Sequence, residues 1–436
     1  MKKPLLSFIL LAISTLSFSQ QPYYTELPPL PEAVTNNAVS GAIINDTPYV
    51  YSFCGLDSTK VWSGIHLKAW RHNLLTGEWL ALPPVPDPAG GKIAAAASLL
   101  KGLIYVVGGY HVAANGNETS SAKVHRFDPV TNQWLSDAAP LPKAIDDHVQ
   151  AVWRDSLLFV VTGWSNTQNV PNVQIYNPAN NTWQVGTAVP NTNNFKAFGA
   201  SGVIRGDTLY YCGGAANGAN FPATIVLRKG YIHPDNPTQI TWSSTVLPEA
   251  KGYRMAAGLI SGHLIWLGGS DVTYNYDGVA YNGSGGVAAL ARIKDYDPNN
   301  GELLAVNDPV LFPPIMDLRG VAQLSSEFFI IVGGMGPGQQ VSRKVYRFSW
   351  AYTVEAGNVL PASDVRIFPN PANELLHIES TQPMLVTLTD QYGRLVTQQT
   401  GPEIVQLSTE NIPAGLYIAC IRQANKTSFF RFIIAH

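Results

Sequence analysis

Ile104-Tyr105-Val106-Val107-Gly108-Gly109, then Phe127-Asp128-Pro129, then Trp134, then Leu141-Pro142: this stretch decides the fold, because variants of it recur six times along the chain. Its order is an apolar strand ending in glycine, an aromatic-Asp-Pro-like turn, a tryptophan and a Leu-Pro step. The strand-ending glycines fall at Gly55, Gly109, Gly163, Gly214, Gly269 and Gly334, in steps of 54, 54, 51, 55 and 65 residues. One such unit cannot bury its own apolar face and has to stack on its neighbours. The period is that of a four-stranded unit of about 50 residues.

Each repeat reads as strands a to d. In the second, strand a is Ile93 to Leu100, Lys101-Gly102 is a tight hairpin turn, and strand b is Leu103 to Val107. Strand c is Ala122 to Phe127, Asp128-Pro129-Val130-Thr131-Asn132 turns the chain, and strand d starts near Trp134. The first repeat has Trp70 in place of the usual Tyr or Phe, and the fifth lacks the tryptophan. The sixth supplies three strands only. Its missing fourth is expected from the other end of the chain, since Tyr23-Tyr24-Thr25-Glu26-Leu27-Pro28-Pro29-Leu30-Pro31 reads like the d-strand segment Trp79 to Pro86. That closure removes the exposed edges of an open array. Trp79, Trp134, Trp183 and Trp242 are expected to pack between repeats.

Taken as a set, these residues resemble the kelch family over roughly Gln21 to Tyr352. The resemblance implies a β-propeller and the repeat count implies six blades, although the 65-residue step leaves seven open. The expected fold is all-β, a six-bladed kelch propeller (20–352) followed by a linker (353–363) and a small Ig-like β-sandwich (364–436). Ahead of them Lys2, Lys3 and the apolar run Pro4 to Phe18 read as a signal peptide (1–19), cleaved after Ser19. The run is too short to span a membrane.

The tail carries Val365-Arg366-Ile367-Phe368-Pro369-Asn370-Pro371-Ala372, then Tyr392-Gly393-Arg394, Ala414-Gly415-Leu416-Tyr417 and a final strand from Phe429. It is similar to the C-terminal sorting domain of type IX secretion cargo. On that resemblance Pro369, Asn370, Pro371, Gly393, Arg394, Gly415 and Tyr417 make up the sorting motif. It implies passage through the periplasm, recognition by an outer-membrane machine, and a secreted or cell-surface protein.

Composition excludes other classes. Only 13% of the 436 residues are charged and the formal net charge is -2, which argues against a nucleic-acid binder, since that would need a basic face. The 38 Gly and 31 Pro suit a many-stranded protein full of turns. Of the three cysteines, Cys54 and Cys212 occupy similar strand ends in the first and fourth repeats, too far apart around a ring for a disulfide. All three read as small buried residues.

A propeller presents its d–a and b–c loops on one face. Counting back fifteen residues from each strand-b glycine gives Ser40, Ala94, His148, Gly199, Arg254 and Arg319. His148, Arg254 and Arg319, with Lys92, Trp164, Tyr274 and Tyr276 in the same loops, are the ligand-binding candidates. Aromatic rings stack on sugar faces, and Arg pairs with carboxylate. The competing reading of the arginines is that they tie blades together. Asp271-x-Thr273-x-Asn275-x-Asp277-Gly278 alternates oxygen ligands but lacks the glutamate of a calcium loop. No His-Glu-x-x-His, Gly-x-Ser-x-Gly or Walker loop is present, and no cofactor or metal is expected. The expectation is a monomeric, non-catalytic glycan- or protein-binding module. Sialic-acid mutarotases of the bacterial envelope are also six-bladed kelch proteins. That resemblance, in blade count and export alone, makes a sugar mutarotase or epimerase using His148 the alternative. A copper oxidase fits less well, for want of a Cys–Tyr pair at the channel.

Overall fold

The computed structural model describes residues 19–274, 287–353, 365–390, 395–423 and 426–435. Residues 1–18 of the expected signal segment, most of the expected linker, Tyr276, Gly393 and Arg394 lie outside them. The described chain is built from β-strands with three short 3-10 turns, and it divides into two compact units, one of which is Gln21–Ala351.

That unit is a six-bladed propeller. Each blade is a four-stranded antiparallel meander, typified by the second: Ile93–Leu100, Leu103–Val112, Val124–Asp128 and Gln133–Leu135. The sixth blade closes the ring as the sequence implies. Ser19–Leu27 pairs with Val345–Thr353, outside Phe328–Val332 and Ala322–Gln323.

Strand b reads as an unbroken apolar run because both of its faces are buried. Successive side chains point to opposite faces. Ile104 and Val106 therefore join Tyr51, Phe53 and Ala95 between blades 1 and 2, while Tyr105 and Val107 join Leu158, Val160 and Tyr176 between blades 2 and 3. Each of the other four junctions has its own apolar wedge. The glycine pair ending strand b is required by backbone approach: Gly108 and Gly109 have φ of 64° and 84°, and a Cβ on Gly108 would meet the Ile145 carbonyl oxygen at 2.4 Å.

The d-strand tryptophans tie blades together. Trp79 donates from Nε1 to the carbonyl of Pro28, Trp134 to that of Pro83, Trp183 to that of Ala139 and Trp242 to that of Thr187, at 2.7–3.0 Å. Each acceptor lies just past strand d of the preceding blade. A second device was not legible as a repeat. One strand-c position, Trp70, His125, Gln174, Arg228 and Lys294 in blades 1 to 5, carries a polar group bonded to the incoming d–a loop, at Glu32, Asp87, Lys143, Asn194 and Lys251 respectively. These bonds satisfy polar groups that the packing otherwise strands and hold the loops of one face in place.

The C-terminal unit is a two-sheet sandwich. Val365–Phe368, Leu375–Ser380 and Ile404–Ser408 form one sheet, and Met384–Asp390, Leu395–Gly401, Gly415–Gln423 and Lys426–Ile434 the other. Leu376, Ile378, Val386, Leu388, Ala419 and Ile421 fill the space between. Pro369, Asn370 and Pro371 form the turn after the first strand, where the Asn370 carboxamide oxygen accepts the Ile433 N–H at 2.8 Å and so pins the last strand. Gly415 opens its strand opposite Ile434, and the Tyr417 hydroxyl donates to the Pro413 carbonyl at 2.6 Å.

Candidate functional site

The loop face is organised by one residue per blade at the end of each d–a crossover. Asn36, Ala94, Asp147, Gly199, Arg254 and Asp317 all have φ between 46° and 64°. The left-handed conformation turns their main chains around the channel mouth, where hydrogen bonds run from blade to blade. Asp147 N–H donates to Ala94 O, Gly199 N–H to Asp147 O, Arg254 N–H to Gly199 O, Leu318 N–H to Arg254 O and Asn36 N–H to Asp317 O, at 2.8–3.2 Å. The Asn36 carboxamide oxygen accepts the Ala94 N–H and completes the circle. Non-glycine residues hold this conformation at a cost of roughly 1–3 kcal/mol each, so it persists because the ring dictates it.

Side chains of the same residues plug the channel. Arg254 binds Asp147 through Nε and Nη2, at 3.1 and 2.5 Å, and Asp317 through Nη1 at 2.9 Å. Arg319 donates to the His148 carbonyl at 2.9 Å, across the ring from blade 6 to blade 3, and lies 3.6 Å from Asp147. The Thr35 hydroxyl donates to Asp317 at 2.6 Å and that of Tyr274 at 3.3 Å. Arg254 is 1% exposed, Asp147 2% and Asp317 0%. Buried charges persist only when paired and hydrogen-bonded, and two arginines here face two aspartates.

The candidates therefore occupy different places. Arg254, Arg319 and Tyr274 come together in the plug. His148 is buried, with Nε2 toward Gln150, and burial followed by the Arg319 charge lowers its pKa to about 3. Lys92 belongs to a separate buried cluster with Asp87, His125 and Ser121. Asp271, head of the calcium-like pattern, is held by both terminal nitrogens of Arg292 at 2.8 and 2.9 Å, and the rest of that pattern falls mostly outside the described residues.

Trp164 leads to the cleft. It packs edge-on to Phe198 and Phe221, both at 5.4 Å between ring centroids. These three rings and Tyr110 wall a cavity of about 40 Å³ on the loop face. Its polar lining is Glu118, Asp146, Asp147 and Arg254. Among the described residues the lining comes from the d–a and b–c loops of blades 2 to 5, with Tyr110 from the end of strand b in blade 2. Asp146 is 3% exposed and accepts a 2.6 Å hydrogen bond from Ser120. Burial, then the neighbouring Asp147 charge, raises its pKa well above the usual carboxylate value. Sequence reasoning missed Glu118, Asp146 and Phe198. The available signal was an Asp-Asp pair ahead of strand a in a charge-poor chain.

Comparison with known proteins agrees with this architecture. Residues 94–136 match the kelch motif, and 366–435 match the secretion system C-terminal sorting domain. The Kelch-like protein terF of Aspergillus terreus is 26% identical over 210 residues, 46% of this chain and 43% of that protein. Kelch-like protein 36 of Bos taurus is 24% identical over 195 residues, 44% of this chain and 29% of its own. The chain thus spans less than half the length of these curated relatives. Among solved structures, that of YjhT superposes with a TM-score of 0.56 at 18% identity, covering 73% of this chain and 95% of that one. With six blades closed by the N-terminal strand and a tail matching the sorting domain, the chain is a kelch-repeat β-propeller protein with a C-terminal type IX sorting domain, exported to the cell surface or beyond.

Proposed function

We propose that the exported propeller is a non-catalytic binding module whose loop face takes a protein partner. The observation that carries this is the plugged channel. Arg254, which would grip a carboxylated sugar, is committed to Asp147 and Asp317, and Arg319 to the His148 carbonyl beside Asp147. What the face does offer is a rigid rim. Val61 and Trp62, in the b–c loop of blade 1, are 46% and 45% exposed, and exposed aromatics on a fixed scaffold are typical anchors of protein contacts.

The test compares capture of outer-membrane and surface proteins by the full-length chain and by a Val61→Ser, Trp62→Ala variant of equal thermal stability. Loss of a specific captured partner is expected. Unchanged capture moves the site off this rim. A glycan in place of the protein would show as saturation transfer from a soluble saccharide.

The mutarotase reading keeps one supporting observation, the placing of Asp146, a carboxyl whose pKa burial raises, beside the ion-paired Asp147. Anomer exchange faster than buffer, lost in Asp146→Asn, would favour it over the binding module.

A further inference from the structure

Asp146 stands outside the charge balance of the plug. Arg254, the cation on that side, already bridges Asp147 and Asp317. The Ser120 hydroxyl, a neutral group, donates to Asp146. Carboxylates of Asp147 and Glu118 line the same cavity, together with the Arg254 guanidinium that Asp147 and Asp317 share. The walls are aromatic, which suits the methylene groups and the charge of an organic cation within about 6 Å of a ring. Among the described residues no cluster has the makings of a metal site, and an enclosed volume of about 40 Å³ is on the scale of an ammonium head with its first methylene.

We propose that this cavity is a receptor for a primary ammonium group, with Asp146 as its counter-charge and Tyr110, Trp164, Phe198 and Phe221 as its walls. The ammonium comes either from a lysine side chain of the docked protein or from a free amine. The first source rests on the loop-face binding reading above. The raised pKa of Asp146 fits the assignment. Burial and the Asp147 and Glu118 charges raise it, and the Ser120 hydrogen bond and the Arg254 charge oppose them. A bound ammonium favours the charged carboxylate, so the protonated fraction of Asp146 gives up its proton on binding, and affinity rises with pH up to the native pKa of Asp146.

The probe is n-butylammonium, titrated into the full-length protein by calorimetry in two buffers of different ionisation heat. Butanol serves as the uncharged control and tetramethylammonium as the oversized one. Saturable binding of butylammonium alone is expected, with proton release and an affinity loss of at least about tenfold in Asp146→Asn. Asp146→Asn keeps the shape of the site, and its fold is checked by thermal melting. Equal binding by Asp146→Asn, or binding of neither wild type nor variant, overturns the proposal. Capture of a protein partner that survives Asp146→Asn but fails in the Val61→Ser, Trp62→Ala variant also overturns the lysine source while leaving the loop-face reading intact. Submicromolar binding of a free amine, with no effect of Asp146→Asn on protein capture, assigns the site to a small amine.

Discussion

Arg254→Ala separates a brace from a ligand contact. In the structure the guanidinium is the cation that Asp147 and Asp317 share, and both carboxylates are buried to within 2% of full. Removing one member of a buried pair leaves an uncompensated charge and costs about 3–5 kcal/mol. In a cooperative unit as large as this propeller, that lowers Tm by about 4–7 °C. Differential scanning calorimetry measures it directly. A partial rescue follows from the same cause. Arg254→Met combined with Asp317→Asn removes one buried charge of each sign, leaves Asp147 as the counter-charge of Arg319, and regains most of the lost stability. If Arg254→Ala melts within a degree of wild type, the arginine does not hold the ring. Its charge is then free for a ligand, and the argument that the channel is plugged fails.

Other outcomes follow from the same chemistry. Asp146 has a native pKa above its unfolded value, so its contribution to stability is full below about pH 4 and is lost as pH rises toward the native value; Asp146→Asn should melt above wild type near neutral pH, with the gap closing on acidification. Asp87 is the opposite case. Burial would raise its pKa, but the bonds from His125 and Lys92 hold it well below the usual carboxylate range. Its contribution is therefore present above about pH 4 and lost only in strong acid, and Asp87→Asn should cost about 3–5 kcal/mol at neutral pH by orphaning Lys92. Trp134→Phe deletes the bond to the Pro83 carbonyl and should cost about 1 kcal/mol, read from urea midpoints. Burial pushes the Cys54 thiol up to about 11 and raises that of Cys212, so neither should react with iodoacetamide until the protein unfolds.

What could be read from residue types was legible in the sequence. Glycine ends, Asp-Pro turns and tryptophans recur because each performs the same backbone or packing task in every blade, and the similarity of Tyr23–Pro31 to Trp79–Pro86 located the closing strand. The ring around the channel mouth was not legible in this way. Its six positions hold Asn, Ala, Asp, Gly, Arg and Asp, united by a left-handed φ that only glycine and asparagine advertise. Counting a fixed fifteen residues back from each glycine reached Ala94, Gly199 and Arg254 but missed elsewhere. It gave Ser40, His148 and Arg319 in place of Asn36, Asp147 and Asp317, because the a–b hairpins and the loops before them differ in length. The strand-c anchors were hidden for the same reason: Trp, His, Gln, Arg and Lys do one job with different chemistry. The cleft needed the fold, since Glu118, Asp146, Phe198 and Phe221 meet only when blades 2 to 5 stand side by side.

The binding-module account is tested most directly by mapping contacts on the living cell surface. A photo-crosslinking residue is placed at Trp62 on the loop face and, in a separate strain, at Leu75 in the c–d hairpin at the opposite end of the same blade, where exposure is 62%. The account predicts a discrete crosslinked partner from position 62 and none from position 75. Crosslinking from position 75 with silence at position 62 would contradict it.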